Sequence, residues 1–260
     1  MNFMIDTLLM ESLLEAIPST SRLIIVGDVD QLPSVGAGTV LQDFIKSSEI
    51  PVVRLNHIFR QAYGSYITVN AHKVRMGEIP SVNKLSQKRN LKDKLQDYYF
   101  IEESDQDKIV KKILLLNTER IPQKFKLDPI KEIQVLTPMH RGITGASQLN
   151  RDLQDKINPD AKGIEHREQW FRVGDKIMQQ QNNYEKQVFN GDLGRVVDCD
   201  QNSKELYVKF DQAHIHYKYN ELDQLTLAYA ITVHKSQGSE YSAVIIPVTT
   251  NHYMMLQRNL

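Results

Sequence analysis

The pattern of apolar and polar residues near the start of the chain predicts an α/β arrangement. Residues 23–26 form an unbroken aliphatic run, which is typical of a strand buried on both faces of a parallel sheet. Before this run, apolar residues recur at helical spacing over residues 8–17, with Thr7 as the expected N-cap. Residues 39–45 show helical spacing again. We therefore expect helix, strand, loop and helix in residues 1–50.

The middle of the chain continues this alternation. Helical periodicity predicts helices at residues 65–76, 108–116 and 145–157. Short runs rich in aliphatic, β-branched or aromatic residues predict strands at residues 98–101 and 133–137. The region therefore has the pattern of a second α/β unit.

From residue 171 to residue 219 the pattern changes to short alternating segments separated by turn residues. Asn190-Gly191 is a hairpin signal between two of these segments. Strands at this spacing predict a small β-barrel of about fifty to sixty residues within the α/β unit. Apolar runs at residues 226–232 and 244–247 then predict a return to buried strands, and Trp170 is expected in the core.

Composition and charge describe an ordinary globular protein. The 32 basic and 32 acidic side chains cancel, so only a local basic groove would attract a polyanion. Cys199 is the only cysteine, which excludes an internal disulfide and favours a reducing, cytoplasmic location. No apolar run approaches the roughly 18 residues of a membrane span. His214 and His216 alternate onto one strand face, but two histidines are too few ligands, and we predict no metal site among these side chains.

Three segments place polar residues after apolar runs, where ligands bind in open α/β sheets. The segments are Gly27-Asp28-Val29-Asp30-Gln31, Leu55-Asn56-His57-Ile58-Phe59-Arg60-Gln61 and His234-Lys235-Ser236-Gln237-Gly238-Ser239-Glu240-Tyr241. In this order they resemble the motor motifs of superfamily 1 helicases, most closely those of the RecD-like family, whose last motif reads His-Lys-Ser-Gln-Gly-Ser-Glu. Three shorter segments also fit the resemblance: Pro138-Met139-His140-Arg141-Gly142, Phe171-Arg172-Val173-Gly174-Asp175-Lys176 and Val188-Phe189-Asn190-Gly191-Asp192.

The resemblance implies an α/β fold with RecA-like, P-loop NTPase-type parallel sheets. The C-terminal half of a first motor domain would occupy residues 1–50. A second motor domain would occupy residues 51–160 and 223–260, and an SH3-like β-barrel would be inserted at residues 161–222.

The same resemblance implies a function for the intact protein. It would be an ATP-dependent DNA helicase of recombination or repair, with ATP and Mg²⁺ as cofactors, that moves 5′-to-3′ on single-stranded DNA and unwinds duplex at junctions. Other helicase-nuclease subunits are possible partners, and no membrane is expected as a partner.

Several residues are candidates for nucleotide chemistry. Gln31 is expected to sense the γ-phosphate, because an amide can hydrogen-bond both a phosphate oxygen and the attacking water. Arg60 is expected to stabilise the charge that develops on phosphoryl transfer. The competing interpretations are an ordinary loop glutamine and a structural ion pair. Asp28 either assists Mg²⁺ or braces the loop. By resemblance, Gly238 and Glu240 contact the nucleotide, Glu240 at its ribose.

The DNA candidates follow the predicted strand that ends near residue 232. By resemblance, Thr232, His234 and Ser236 contact the DNA backbone, and their hydroxyl and imidazole groups suit phosphates bound without regard to sequence. For His234 the competing interpretation is a structural histidine. Lys235 would pair either with phosphate or with a neighbouring carboxylate.

Three further DNA candidates lie elsewhere. Arg141 follows the predicted strand at residues 133–137 and could bind phosphate. Asn183 and Tyr184 belong to the predicted barrel, where exposed amides and aromatic rings can hydrogen-bond and stack on single-stranded bases. A structural role in the turn is an equally good interpretation of the asparagine.

One part of a nucleotide motor is absent from the sequence. The phosphate loop Gly-x-x-x-x-Gly-Lys-Ser/Thr does not occur, since none of the 12 glycines precedes a lysine. The resemblance would place the missing acidic metal ligands at or before residue 1 and a motif VI arginine after Leu260. We therefore expect an interior piece of a larger helicase, inactive by itself. The alternatives are a short non-catalytic DNA-binding module and part of a conjugative relaxase-helicase.

Overall fold

A computed structural model describes residues 5–31, 34, 36–55, 65–81, 97–211 and 213–256. The chain divides into two compact units, Met1–Glu102 with Leu256–Leu260, and Glu103–Met255. Among the described residues, no helix is long and apolar enough to cross a membrane.

The described residues of the first unit form three helices. They are α1 (Thr7–Ala16), α2 (Val40–Ser47) and α3 (Tyr66–Met76). The expected N-cap Thr7 is wrong, because the Asp6 side chain accepts the Leu9 N–H at 2.8 Å and Thr7 is the first helical residue. A carboxylate at this position also suits the positive end of the helix dipole. Helix α3 ends as predicted, at Gly77 with φ 79°.

The strand predicted at residues 23–26 is wrong. These residues have no regular secondary structure, and the side chains of Ile24 and Val26 are 84% and 89% exposed. An aliphatic run becomes a buried strand only where neighbouring strands complete its hydrogen bonds, and the described part of this unit contains no strand. The strand predicted at residues 98–101 is also wrong, since Phe100 alone forms a β-bridge.

The second unit contains most of the regular structure. Its helices are α4 (Gln106–Leu115), α5 (Ile121–Phe125) and α6 (Ala146–Ile157), with a π turn at Leu116–Arg120 and 3-10 turns at Tyr219–Gln224, Val233–Ser236 and Thr250–His252. Its strands are β1 (Ile133–Thr137), β2 (Gly163–His166), β3 (Gln169–Arg172), β4 (Lys176–Gln179), β5 (Leu193–Asp200), β6 (Glu205–Phe210), β7 (Ala213–Tyr217), β8 (Leu225–Leu227), β9 (Ala230–Thr232) and β10 (Ala243–Ile245). The predictions of β1, α4 and α6 are confirmed.

A three-stranded parallel sheet lies at the centre of this unit, in the order β10-β1-β9. All five residues of β1 are buried, including the polar Gln134 and Thr137, as is typical of a central strand in a parallel sheet. The register pairs Thr137 with Thr232 at the carboxyl ends and Ile133 with Ala243 at the amino ends. The predicted α/β class with a parallel sheet is therefore confirmed.

The predicted barrel region is an antiparallel sheet in the order β7-β6-β5-β4-β8, with a separate hairpin of β2 and β3. Among the described residues, the edge strands β7 and β8 do not pair, so hydrogen bonds do not close this sheet. Trp170 was predicted in the core but is 43% exposed, because β3 alternates and its neighbour Phe171 faces inward. The two sheets share one core, in which Val135, Leu153 and Ile177 are buried together.

The single strand predicted at residues 226–232 is in fact two strands in two different sheets. Strand β8 pairs with β4, β9 pairs with β1, and only Ala228 and Tyr229 separate them. Asn150 of α6 holds this crossing: its amide donates to the carbonyls of Leu227 (3.1 Å) and Ala230 (2.8 Å), and its oxygen accepts the Ala230 N–H (2.8 Å).

Acid should destabilise the second unit through His252. This histidine is buried, its Nε2 lies 3.1 Å from Thr144 Oγ1, and its Nδ1 accepts the Thr249 N–H at 3.3 Å. Burial lowers its pKa below the usual value, so the unfolded chain takes up a proton first as the pH falls. We expect the free energy of unfolding to fall once the pH drops below about 6.5. Urea titrations at three pH values would measure this loss, which His252→Gln should reduce and the exposed control His214→Gln should not.

Candidate nucleotide and nucleic-acid site

Two polar loops meet at the carboxyl edge of the parallel sheet. Because Thr137 and Thr232 are paired on neighbouring parallel strands, residues 138–145 and the turn Val233–Ser236 begin at the same edge. The Thr137 hydroxyl donates to the Thr144 carbonyl at 2.7 Å, which fixes the return of the first loop. Arg141 and His234 are both exposed. The parallel pairing thus brings Arg141, which the sequence placed after a different strand, to the same sheet edge as His234.

Residues 233–242, which we call the crossover segment, connect β9 to β10. The Ser236 hydroxyl donates to the Val233 carbonyl at 2.8 Å, so the hydroxyl stabilises the 3-10 turn. Gly238 has φ 82°, and a Cβ placed on it would meet no atom within 4 Å, so the backbone conformation is what favours glycine here. The side chain of Lys235 reaches Gln180, with 3.4 Å between Nζ and Oε1, and partial burial lowers its pKa. The contact that the structure shows for the Lys235 ammonium is therefore the amide oxygen of Gln180, whereas the sequence analysis expected phosphate or a neighbouring carboxylate.

The crossover segment runs from one edge of the sheet to the other. It starts beside Thr232 at the carboxyl edge, whereas Ala243 pairs with Ile133 at the amino edge. The two edges are separated by the length of β1, about 13 Å at 3.3 Å per residue. The candidate DNA residues around His234 therefore stand at one end of the segment, and Glu240 is close in sequence to the other end.

In the first unit, Asp28 and Gln31 are brought together in an exposed loop. Asp28 accepts the Asp30 N–H at 2.9 Å, and the Gln31 side-chain amide donates to its other oxygen at 3.4 Å. The carboxylate of Asp30 also pairs with Arg75 of α3 at 3.1 Å, which fixes the loop to that helix. Asp28 thus braces the loop, one of the two roles considered for it. Arg60 lies outside the described residues.

The two candidates on the SH3-like sheet differ in their surroundings. The Asn183 amide donates to Gln224 at 3.1 Å and its oxygen accepts the Lys186 N–H at 3.0 Å, so both ends of the side chain support the loop. Tyr184 is 75% exposed and rests edge-on against Phe189, with ring centroids 5.9 Å apart. Of the two, Tyr184 is the one whose side chain is exposed.

Sequence reasoning missed two buried charges in the quoted segment at residues 171–176. Asp175 is fully buried, and burial raises its pKa although four donors surround it. Lys176 is only 6% exposed, and burial lowers its pKa to about 8. Its Nζ lies 3.4 Å from the Ile133 carbonyl and 5.7 Å from the centroid of the Tyr241 ring. The sequence signal for this buried charge was a lysine directly before the apolar pair Ile177 and Met178 of a predicted strand.

The described side chains supply little for direct metal binding. No group of three His, Cys, Asp or Glu residues within the described ranges could hold a metal ion. The exposed carboxylate of Asp28 fits an accessory role towards Mg²⁺, and the amide of Gln31 fits a phosphate or a water.

Three family models match the chain in order. An AAA domain matches residues 2–94, an ATP-dependent RecD-like DNA helicase SH3 domain matches residues 149–210, and a UvrD-like helicase C-terminal domain matches residues 227–260. The second match confirms the SH3-like region.

Individual relatives match almost the whole chain. The ATP-dependent RecD2 DNA helicase of Deinococcus radiodurans is 35% identical over 99% of the chain and 33% of its own length. The RecBCD enzyme subunit RecD of Buchnera aphidicola is 28% identical over 96% of the chain and 49% of its own length. A crystal structure of Pif1 helicase from Bacteroides, with ADP-AlF3 and single-stranded DNA, shares the fold with a TM-score of 0.51 and 20% identity, over 86% of this chain and 55% of that one. The chain thus spans a third to a half of the curated relatives described here, and over almost all of its own length it is similar to RecD-like helicases.

Proposed function

We propose that the intact protein is an ATP-dependent DNA helicase of recombination or repair, and that this chain is inactive by itself. The intact protein moves 5′-to-3′ along single-stranded DNA and unwinds duplex at junctions. The proposal is carried by the pairing of Thr137 with Thr232, which puts two polar loops at one sheet edge in a chain similar to RecD-like helicases. Other helicase-nuclease subunits are proposed partners, and the cytoplasm is the proposed location.

The proposed division of labour follows the motor domains of that family. Residues 1–50 contribute to a first motor domain, residues 51–160 and 223–260 form a second, and residues 161–222 are the SH3-like insertion. ATP turnover in the intact protein would drive stepwise changes in its grip on the DNA.

In this proposal the carboxyl edge of the parallel sheet binds the DNA backbone. His234 and Arg141 are exposed there and supply donors and charge. Thr232, Lys235 and Ser236 complete the surface with short polar side chains and an ammonium. Such groups bind phosphates of any sequence, as a translocating protein requires. Tyr184, with Asn183 supporting its loop, adds a ring on which a base can stack.

The proposed nucleotide contacts divide by role. Gln31 and Arg60 act at the γ-phosphate, Asp28 holds Gln31 and assists Mg²⁺, and Gly238 and Glu240 face the nucleoside. ATP supplies the phosphoryl group whose transfer drives movement, and Mg²⁺ neutralises charge on its phosphates. The amide of Gln31 then orients the attacking water.

The polarity of unwinding tests the proposed function. The intact protein should hydrolyse ATP faster when single-stranded DNA is added, and should unwind a duplex with a 5′ tail but not one with a 3′ tail, whereas this chain by itself should turn over no ATP. DNA binding by the intact protein without any ATP turnover would contradict the helicase proposal and identify a non-catalytic binding module.

His234→Ala should weaken DNA binding. Loss of one charge-assisted or neutral hydrogen bond to phosphate costs about 1.4 kcal/mol, which is roughly a tenfold rise in Kd. Fluorescence anisotropy with a labelled oligothymidine would measure this change. His72→Ala removes an exposed imidazole from helix α3 and should leave Kd unchanged. Equal Kd values for both variants would remove His234 from the DNA surface.

A further inference from the structure

One face of β4 follows the crossover segment along its length. Side chains alternate along a strand, so Lys176, Met178 and Gln180 share a face. Lys176 Nζ lies 5.7 Å from the centre of the Tyr241 ring, and Gln180 Oε1 lies 3.4 Å from Lys235 Nζ. Between these two contacts, Met178 is buried in a small core cluster against which Val233 and Tyr241 pack. The SH3-like sheet thus contacts the crossover segment at three successive points.

The chemistry of the first point is unusual for a core. Lys176 is nearly fully buried, and its ammonium is satisfied by the Ile133 carbonyl and the Tyr241 ring. Burying a charge in this way is costly, and apolar residues of similar size often stabilise such a site better. Stability alone therefore does not account for the lysine. Its contacts instead connect β4, β1 and the end of the crossover segment.

The outer two contacts lie beside the residues assigned to function. Lys235 stands between His234 and Ser236, at the DNA end of the segment. Tyr241 directly follows Glu240, at the nucleotide end. A strand that fixes Lys235 and Tyr241 therefore fixes the distance between the two ends.

We propose that Lys176 and Gln180 are positioning residues through which the SH3-like sheet holds the crossover segment and couples DNA contact to ATP turnover. This inference rests on the proposed function. It assigns the insertion a role beyond DNA contact, since β4 keeps the nucleotide end of the segment in place when the DNA end is engaged. Neither side chain needs to touch ATP or DNA.

The test is Lys176→Met in the intact protein, which keeps the length and apolar stem of the side chain. We expect DNA-stimulated kcat to fall roughly tenfold, a usual size for coupling between sites. The KM for ATP, the Kd for oligothymidine and the unfolding midpoint should change little. Lys176→Arg should recover activity. Lys209→Met, on the exposed face of β6, is the matched control and should behave as wild type.

A pH profile separates positioning from packing. Because burial lowers the pKa of Lys176 to about 8, wild-type DNA stimulation should decline between pH 7.5 and 9.5 more steeply than that of Lys176→Arg. Burial also lowers the pKa of Lys235, but this lysine is present in both proteins, so the difference between their pH profiles reports Lys176. Burial would raise the pKa of the Asp128 carboxyl, but hydrogen bonds from the backbone N–H groups of Lys131 and Ile130 keep it low. Burial raises the pKa of the Tyr241 hydroxyl. Arg195, the cross-strand partner of Lys176, carries a permanent charge.

The outcomes are distinct. Normal DNA stimulation in Lys176→Met, with an unchanged pH profile, overturns the positioning role. Absence of DNA-stimulated ATP turnover in the intact wild-type protein overturns the proposed helicase function instead. Should Lys176→Met fail to fold, Gln180→Ala decides, because Gln180 is exposed and its backbone N–H remains bonded to the Gln224 carbonyl at 2.7 Å. We expect this variant to lose DNA stimulation severalfold, and full stimulation would overturn the proposal.

Discussion

Replacing Asp175 by alanine should lower the free energy of unfolding of the second unit by about 4 kcal/mol, because it leaves buried donors without an acceptor. The Asp175 carboxylate is fully buried and accepts four hydrogen bonds. The donors are the Arg172 N–H at 2.6 Å, the Asn158 amide at 2.8 Å, the Tyr229 hydroxyl at 2.9 Å and the Gln154 amide.

The size of this effect follows from where the donors come from. Gln154 belongs to α6, Arg172 to the end of β3, and Tyr229 to the link between β8 and β9. One carboxylate therefore connects helix α6, the SH3-like region and the link between the two sheets. Breaking a buried network of this kind is among the few mechanisms by which one substitution costs more than about 4 kcal/mol.

Urea unfolding followed by circular dichroism would measure the loss. Asp160→Ala removes an exposed carboxylate just beyond α6 and should leave the midpoint unchanged. Asp175→Asn should lower the free energy of unfolding less than Asp175→Ala does, since the asparagine oxygen still accepts hydrogen bonds. It should still be less stable than wild type, because its amide hydrogens would face other donors. Equal midpoints for wild type and Asp175→Ala would show that these hydrogen bonds contribute nothing to stability.

The elements that the local pattern predicted well are those in which the order of apolar and polar residues alone determines which side chains are buried. Strand β1 and helix α6 formed at the expected positions because β1 is rich in aliphatic and β-branched residues and α6 buries a single stripe. The run at residues 23–26 is more apolar than β1, but no strand lies beside it in the part of the first unit that the structure describes, so composition alone misled the prediction. At residues 226–232 a continuous apolar run conceals a change of sheet that Asn150 fixes from about eighty positions earlier.

The candidate site also divides into local features, which the sequence predicted, and long-range contacts, which it did not. The order of motifs located the carboxyl edge, because strand ends and polar loops are local features. The contacts of Lys176 with Tyr241 and of Gln180 with Lys235 join positions 55 or more residues apart, and no spacing rule connects them. The amide of Asn183 looked like a ligand group in sequence, yet its partners, Gln224 and Lys186, are structural.

Gln31→Ala should lower DNA-stimulated kcat by roughly 10²–10³, the usual effect of losing one preorganised polar group at a reacting centre. Gln31 donates through its amide to Asp28, which fixes the orientation of the side chain. The amide oxygen is then the atom suited to accept a hydrogen bond from the attacking water and orient it, and alanine retains neither function. Steady-state turnover of the intact protein with saturating oligothymidine would measure the loss.

The variants around Gln31 separate chemistry from loop structure. Asp28→Asn keeps the glutamine but weakens its bracing, so kcat should fall only about tenfold, in the range expected for a supporting contact. Gln123→Ala removes an exposed amide from α5 and should leave kcat unchanged. Because the water is positioned only at the chemical step, Gln31→Ala should leave the KM for ATP and the Kd for DNA near their wild-type values. A rise in KM with normal kcat would instead make Gln31 a binding residue, and unchanged kinetics would assign it to the loop alone.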